Sequence, residues 1–234
     1  MFRFVFLIIL AINSFGYGFP EYFYKIGNSK KQKAEFIKIL NPLINNANRV
    51  ILYEREFVKS FFDKALQNGF REFKSDSLHK LVYLYKKYRI KHLFDKQEYL
   101  KKIDTIPVSL ALAQGVVESA WGKSRFVREA NNIFGHWTYT GNGLIPNARE
   151  EGKTHRIRIF NSLQSSVNAY VLNLNRNKAY KEFRDKRYVA HSKGMDFDGL
   201  MAAKTMINYS ELKQKYVKII QSIIKRNNLL FYDK

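Results

Sequence analysis

The sequence predicts an α+β protein, mostly α, with one small β-hairpin. Apolar residues recur at helical spacing through most of the chain, strand-like alternation is confined to residues 155–160, and glycines at 141, 143 and 152 mark turns around it. With 234 residues and no internal repeat, the chain has room for one ordinary domain and an extra helical lobe.

The first element is an export signal over residues 1–18. Arg3 supplies the positive end, Phe4 to Ile12 is an unbroken apolar run, and Gly16-Tyr17-Gly18 is a small-x-small cleavage pattern. The run falls short of the roughly 20 apolar residues that cross a bilayer comfortably. Residues 19–103 then read as a basic helical region. Phe36, Leu40, Leu43 and Ala47 form one stripe, and Val50, Tyr53, Phe57 and Phe61 a second. The stretch from Asp63 to Gly69 reads as a helix end, Asp76 or Ser77 as a cap, and Asp95-x-x-Glu98 as a capping box.

Residues 104–234 form the second region. Pro107 suits a first helical turn, Leu110, Ala113, Val117 and Ala120 share a face of the helix that follows, and Gly122 is placed to end it. A short helix follows Ser124, Asn131 to Gly135 turns, and His155 to Phe160 alternates as a strand whose partner lies across a hairpin near Gly152. Ser162 caps a helix carrying Leu163, Val167, Tyr170 and Leu174, and a last helix carries Leu212, Tyr216, Ile219 and Ile223.

Composition narrows the chemistry. The chain has no cysteine, which excludes a disulfide frame, a thiolate metal site and a cysteine nucleophile. Its five histidines (79, 92, 136, 155 and 191) lack metal-ligand spacing, and Ser119 lacks the glycines of a nucleophile elbow. Neither metal nor cofactor is therefore expected. The net charge of +21 calls for anionic surroundings. For a protein exported to the periplasm or cell envelope, those are carboxylate- and phosphate-rich envelope polymers rather than nucleic acid.

One carboxylate stands out. Glu118 falls near the end of an apolar, small-residue helix beside Trp121, where burial and the helix C-terminus both raise a carboxyl pKa. A glycosidase needs such a protonated acid for the departing oxygen. Taken alone, the position better suits a glutamate turned to solvent.

The company it keeps carries more weight. The run Gln114-Gly-Val-Val-Glu-Ser-Ala-Trp-Gly-Lys-Ser-Arg125, then Asn131-Asn-Ile-Phe-Gly-His-Trp137, resembles the signature of the glucosaminidase domain of glycoside hydrolase family 73, and more narrowly its Bax-type bacterial members. Further matching pieces follow in family order: Phe160 to Tyr170, Asn173-Leu-Asn175 with Ala179-Tyr180, and Tyr209-Ser210 before Asn228-Leu229. Where Bax-type proteins often carry cysteines, this chain has Thr138 and Asn142, and the late Tyr-Ser-Glu stretch continues as Leu212-Lys213 without the glycine of the pattern.

The resemblance implies a lysozyme-like fold, an α lobe and a small β-hairpin lobe flanking a glycan cleft. It implies an endo-β-N-acetylglucosaminidase acting on peptidoglycan as a monomer, with Glu118 as general acid and Tyr209 beside it. Trp121, Phe134, His136, Trp137, Glu150 and Tyr170 would contact substrate. The water-activating carboxylate would be Glu151 or Glu150 at the hairpin turn, with Glu151 preferred, across roughly 6.5–9.5 Å in an inverting enzyme; otherwise the substrate's N-acetyl group would assist. A muramidase, a lytic transglycosylase and a non-catalytic wall-binding protein are the competing readings.

Overall fold

The computed structural model describes residues 17–141, 143–146, 152 and 154–233. Most of the expected export segment, together with Glu150 and Glu151, lies outside the described residues. The architecture is mostly helical with a small three-stranded antiparallel sheet.

Helix α1 (Glu21–Tyr24) leads into α2 (Ser29–Gln67), a single helix of 39 residues and thus about 58 Å long. Asn28 caps it by accepting from the Lys31 backbone, and Pro42 is tolerated on its exposed side. Its buried face runs through Phe36, Leu40, Ile44, Ala47, Ile51, Glu54, Val58 and Phe61. The second stripe expected from sequence is therefore corrected: Val50 and Tyr53 are 49% and 70% exposed. Steps of three and four residues from Ala47 bring Ile51, Glu54 and Val58 inward, and Glu54 is tolerated there because Lys87 and the Tyr88 hydroxyl both bond its carboxylate.

Helices α3 (Ser75–Tyr88) and α4 (Lys96–Lys102) fold back along α2. Neither Asp76 nor Ser77 caps α3, whose N-cap is Lys74 with no side-chain bond; both residues fall inside the first turn. Asp95 does cap α4, accepting from the Glu98 backbone, but Glu98 reaches back to the Lys91 N–H instead of completing a box.

Helix α5 (Val108–Ser119) starts one residue after Pro107 and is buried on every side from Val108 to Val116, so it is the centre of the core rather than an amphipathic face. Gly115 lets α2 approach it, since an added Cβ would meet Leu40 at 2.8 Å. The helix ends in three consecutive left-handed residues, Ala120 (φ 50°), Trp121 (φ 59°) and Gly122 (φ 78°). A side chain at Gly122 would also strike Phe19 at 2.8 Å.

Helix α6 (Arg125–Ala130), capped by Ser124, ends in the left-handed Asn131 and leads to strand β1 (Trp137–Thr138). Strands β2 (Gly143–Leu144) and β3 (Arg156–Arg158) complete a sheet in the order β1-β3-β2, with Trp137 opposite Ile157 and Gly143 opposite Arg158. The expected hairpin is thus present, and β1 adds a further strand. Helix α7 (Leu163–Arg176), capped by Ser162 as expected, packs on α2, and α8 (Lys181–Ser192) and α9 (Gly199–Ala203) follow. The last helix, α10 (Gln214–Arg226), packs on α5 with Tyr216, Val217, Ile220 and Ile224 buried. Leu212, expected on that face, precedes the helix and is exposed.

Candidate active site

The last turn of α5 carries Glu118 out of the core into half-burial, on the surface that α10 covers. A chain of hydrogen bonds between buried polar groups ends on its carboxyl. The Tyr170 hydroxyl donates to Gln114 Oε1 at 2.6 Å, Gln114 Nε2 to the Tyr216 hydroxyl at 3.0 Å, and Tyr216 to Glu118 Oε1 at 2.9 Å. Gln114 and Glu118 are one helical turn apart, so one face of α5 presents both. Gln114 and Tyr170 are fully buried, and Tyr216 is 1% exposed.

The other carboxyl oxygen faces the turn before β1. A Cβ on Gly135 would stand 3.6 Å from Glu118 Oε2, and Gly135 has φ 66°, so the backbone comes close to the acid where no side chain intervenes. Burial raises the Glu118 pKa above the ordinary carboxylate value, and the Tyr216 hydrogen bond opposes it. Tyr209 stacks on Tyr216 with ring centres 5.4 Å apart, and Tyr180 packs against Tyr209 at 5.8 Å. Burial first, then neighbouring charge including that of Glu118, holds the hydroxyls of Tyr170, Tyr209 and Tyr216 protonated. The acid thus sits in a tyrosine cage.

The residues expected around Glu118 divide into groups. Tyr209 lies in the cage. Tyr170 and Phe134 are buried and stacked on each other at 3.9 Å, and the Tyr170 hydroxyl is bonded to Gln114. Trp121 is half-buried against α2, edge-on to Phe36 at 5.6 Å and under the Lys33 ammonium at 5.1 Å, so the tyrosines rather than this indole supply the described surroundings of the carboxyl. Trp137 is 56% exposed and stacked on His155 at 4.4 Å. Among the described residues His136 Nε2 has no hydrogen-bond partner, and burial, with the Arg158 charge, lowers its pKa to about 4, so the ring is neutral.

His136 and Trp137 open a groove of about 570 Å³ between the sheet and α7, lined further by Arg158, Asn168, Asn173 and Arg176. Gly135 is the residue before His136, so the groove adjoins in sequence the backbone that faces Glu118. A larger hollow of about 800 Å³ surrounds Pro107 and His191 at the opposite end of α5, about 15 Å along the helix from Glu118. Among the described residues, no three of His, Asp and Glu come together as a metal-ligand set.

Sequence reasoning did not single out Gln114, Tyr216, Tyr180 or Gly135 as site residues. Gln114 carried the clearest signal, an amide in an otherwise apolar helix. Tyr216 matched a helical stripe and reads equally as core.

Residues 95–229 match the family model described as glucosaminidase, mannosyl-glycoprotein endo-beta-N-acetylglucosaminidase. The chain is also 26% identical over 211 residues to Protein bax of Escherichia coli (strain K12), covering 88% of this chain and 73% of that protein. No solved structure matches.

Proposed function

This chain belongs to the glucosaminidase family, and from that membership we propose that it is an exported endo-β-N-acetylglucosaminidase that cuts peptidoglycan strands with Glu118 as general acid. The observation that carries the proposal is the caged carboxyl. Its pKa is raised by burial, one oxygen is occupied by Tyr216, and the other faces the close backbone approach at Gly135.

That asymmetry assigns the proton. Oε1 accepts from Tyr216, so the neutral acid carries its hydrogen on Oε2 and donates it from there to the glycosidic oxygen. The C–O bond of the N-acetylglucosamine residue breaks, the leaving sugar keeps the oxygen and the donated proton, and water adds to the anomeric carbon. The proton lost by that water goes to Glu151 or Glu150; in the assisted alternative the substrate's N-acetyl oxygen first bonds the anomeric carbon as the leaving sugar departs, and water then reopens that ring and gives its proton to the Glu118 carboxylate. Tyr209 stacks behind Tyr216 and holds its ring in place. The Trp137–His155 stack offers an exposed aromatic face to a sugar.

Glu118→Gln keeps the acceptor for Tyr216 but has no proton to give. Release of reducing ends from purified cell wall should fall by at least about 10²-fold while the polymer still binds. Undiminished release overturns the assignment, and a wild type without any release supports a wall-binding protein instead. Mass spectrometry of the products should show reducing N-acetylglucosamine ends. Anhydromuramic or reducing muramic ends overturn the choice of bond.

A further inference from the structure

We propose that the groove between the sheet and α7 is a subsite for a carboxylate carried on the glycan, held by Arg158 and Arg176; the proposal deepens the peptidoglycan reading and rests on it. Arg158 projects from β3 and Arg176 from the last turn of α7, and both line the groove. Among the described residues, arginine ion pairs belong to Arg55, Arg125 and Arg187, and neither Arg158 nor Arg176 is in one. Lys87, a third cation on the wall, is already matched by Glu54 at 2.5 Å.

The arginines crowd one another. Burial first, then the charges of Arg89 and Arg158, lowers the Arg176 pKa, and its Nη1 makes a long 3.4 Å bond to the Lys87 carbonyl. Converging like charges cost free energy, which an arriving anion recovers. Arg158 is braced over the Phe160 ring at 4.7 Å, which orders its planar fork for a carboxylate.

Position argues that the anion belongs to the substrate. The groove begins at His136, the residue after the glycine that faces Glu118, and runs along α7, whose Tyr170 heads the hydrogen-bond chain to Glu118. A glycan with its scissile oxygen at Glu118 would therefore extend a substituent into the groove. An acidic side group brings the missing charge, and a neutral sugar polymer does not.

The Glu118→Gln protein, which leaves the polymer intact, is titrated with native peptidoglycan fragments and with the same fragments after amidation of their carboxylates. The native form should bind about tenfold more tightly, with the preference fading as salt rises. Adding Arg158→Gln and Arg176→Gln should abolish the preference, whereas Arg158→Lys with Arg176→Lys, which keep the charge but not the fork, should retain part of it. A preference that survives the Gln pair, is absent from the parent, or is lost equally in the Lys pair overturns the proposal. Competition by inorganic phosphate well above acetate at equal ionic strength reassigns the subsite to phosphate and also overturns it. If the wild type cuts no glycan yet shows the preference, the hydrolase reading fails and the subsite stands.

Discussion

At the residue scale, Glu118 is governed by two opposed influences, burial that favours its neutral form and a Tyr216 hydrogen bond that favours its anion. Removing the hydroxyl with Tyr216→Phe leaves burial unopposed, so the carboxyl pKa rises further and the acid stays protonated to higher pH. The alkaline limb of the kcat profile should therefore move upward, while maximal kcat falls about tenfold because the carboxyl is no longer oriented. A limb that stays in place or moves toward acid contradicts the relay. The ring remains, so the stack on Tyr209 is kept and the change isolates one oxygen. The ordered motifs around Glu118, not its position alone, single it out, but the tyrosines of the hydrogen-bond chain to its carboxyl come from α7 and α10, distant in sequence, and periodicity alone gives Tyr216 no more than a place on a buried face.

At the scale of elements, the helix starts are where sequence and structure agree best. Ser124 and Ser162 cap α6 and α7 as read from the chain, because an N-cap is a contact between residues three apart. The start of α5 is the opposite case. Its cap comes from the far end of the protein, where Asp233 accepts from the Ser109 N–H at 2.7 Å, the Ser109 hydroxyl at 2.6 Å and the Gly199 N–H at 3.0 Å. Gly199 is required beneath it, since a Cβ there would lie 1.9 Å from Ser109 Oγ. Asp233→Ala should strand these donors and cost about 2 kcal/mol, seen as a drop of about 4–8 °C in Tm. An unchanged Tm would show that water replaces the carboxylate without loss.

At the scale of the molecule, α2 is built into the region that matches the family model. Phe36, Leu40 and Ile44 lie in the same core cluster as α5 and α7, and Asp104 ties Arg55 of α2 to Arg187 and His191 of α8. Asp104 is 4% exposed; burial pushes its pKa up, but the His191 hydrogen bond and the charges of Arg187 and Arg55 outweigh it and leave the value lowered from 3.8. A carboxyl lowered in the folded state stabilises it above the unfolded pKa, and that contribution is lost as pH falls from about 3.8 through the lower folded value. Asp104→Asn also leaves the fully buried Arg187 without its counter-charge, so it should cost about 3 kcal/mol at neutral pH. Urea unfolding at pH 7 and pH 3 checks this: the gap to wild type should narrow at the lower pH, and a constant gap would remove the electrostatic account.

The sequence by itself determined the helical class, the strand near residue 157, the caps at Ser124 and Ser162 and the family, because each depends on residues close together in the chain or on an ordered run of short motifs. It also singled out Glu118. The tertiary structure alone decided which side of α2 faces inward, that Phe134 and Tyr170 are covered, and that Tyr216 rather than Trp121 is seen to hold the acid. Those outcomes depend on which helices meet, and a hydrogen bond such as Tyr216 to Glu118, spanning 98 residues, leaves no local pattern in the chain.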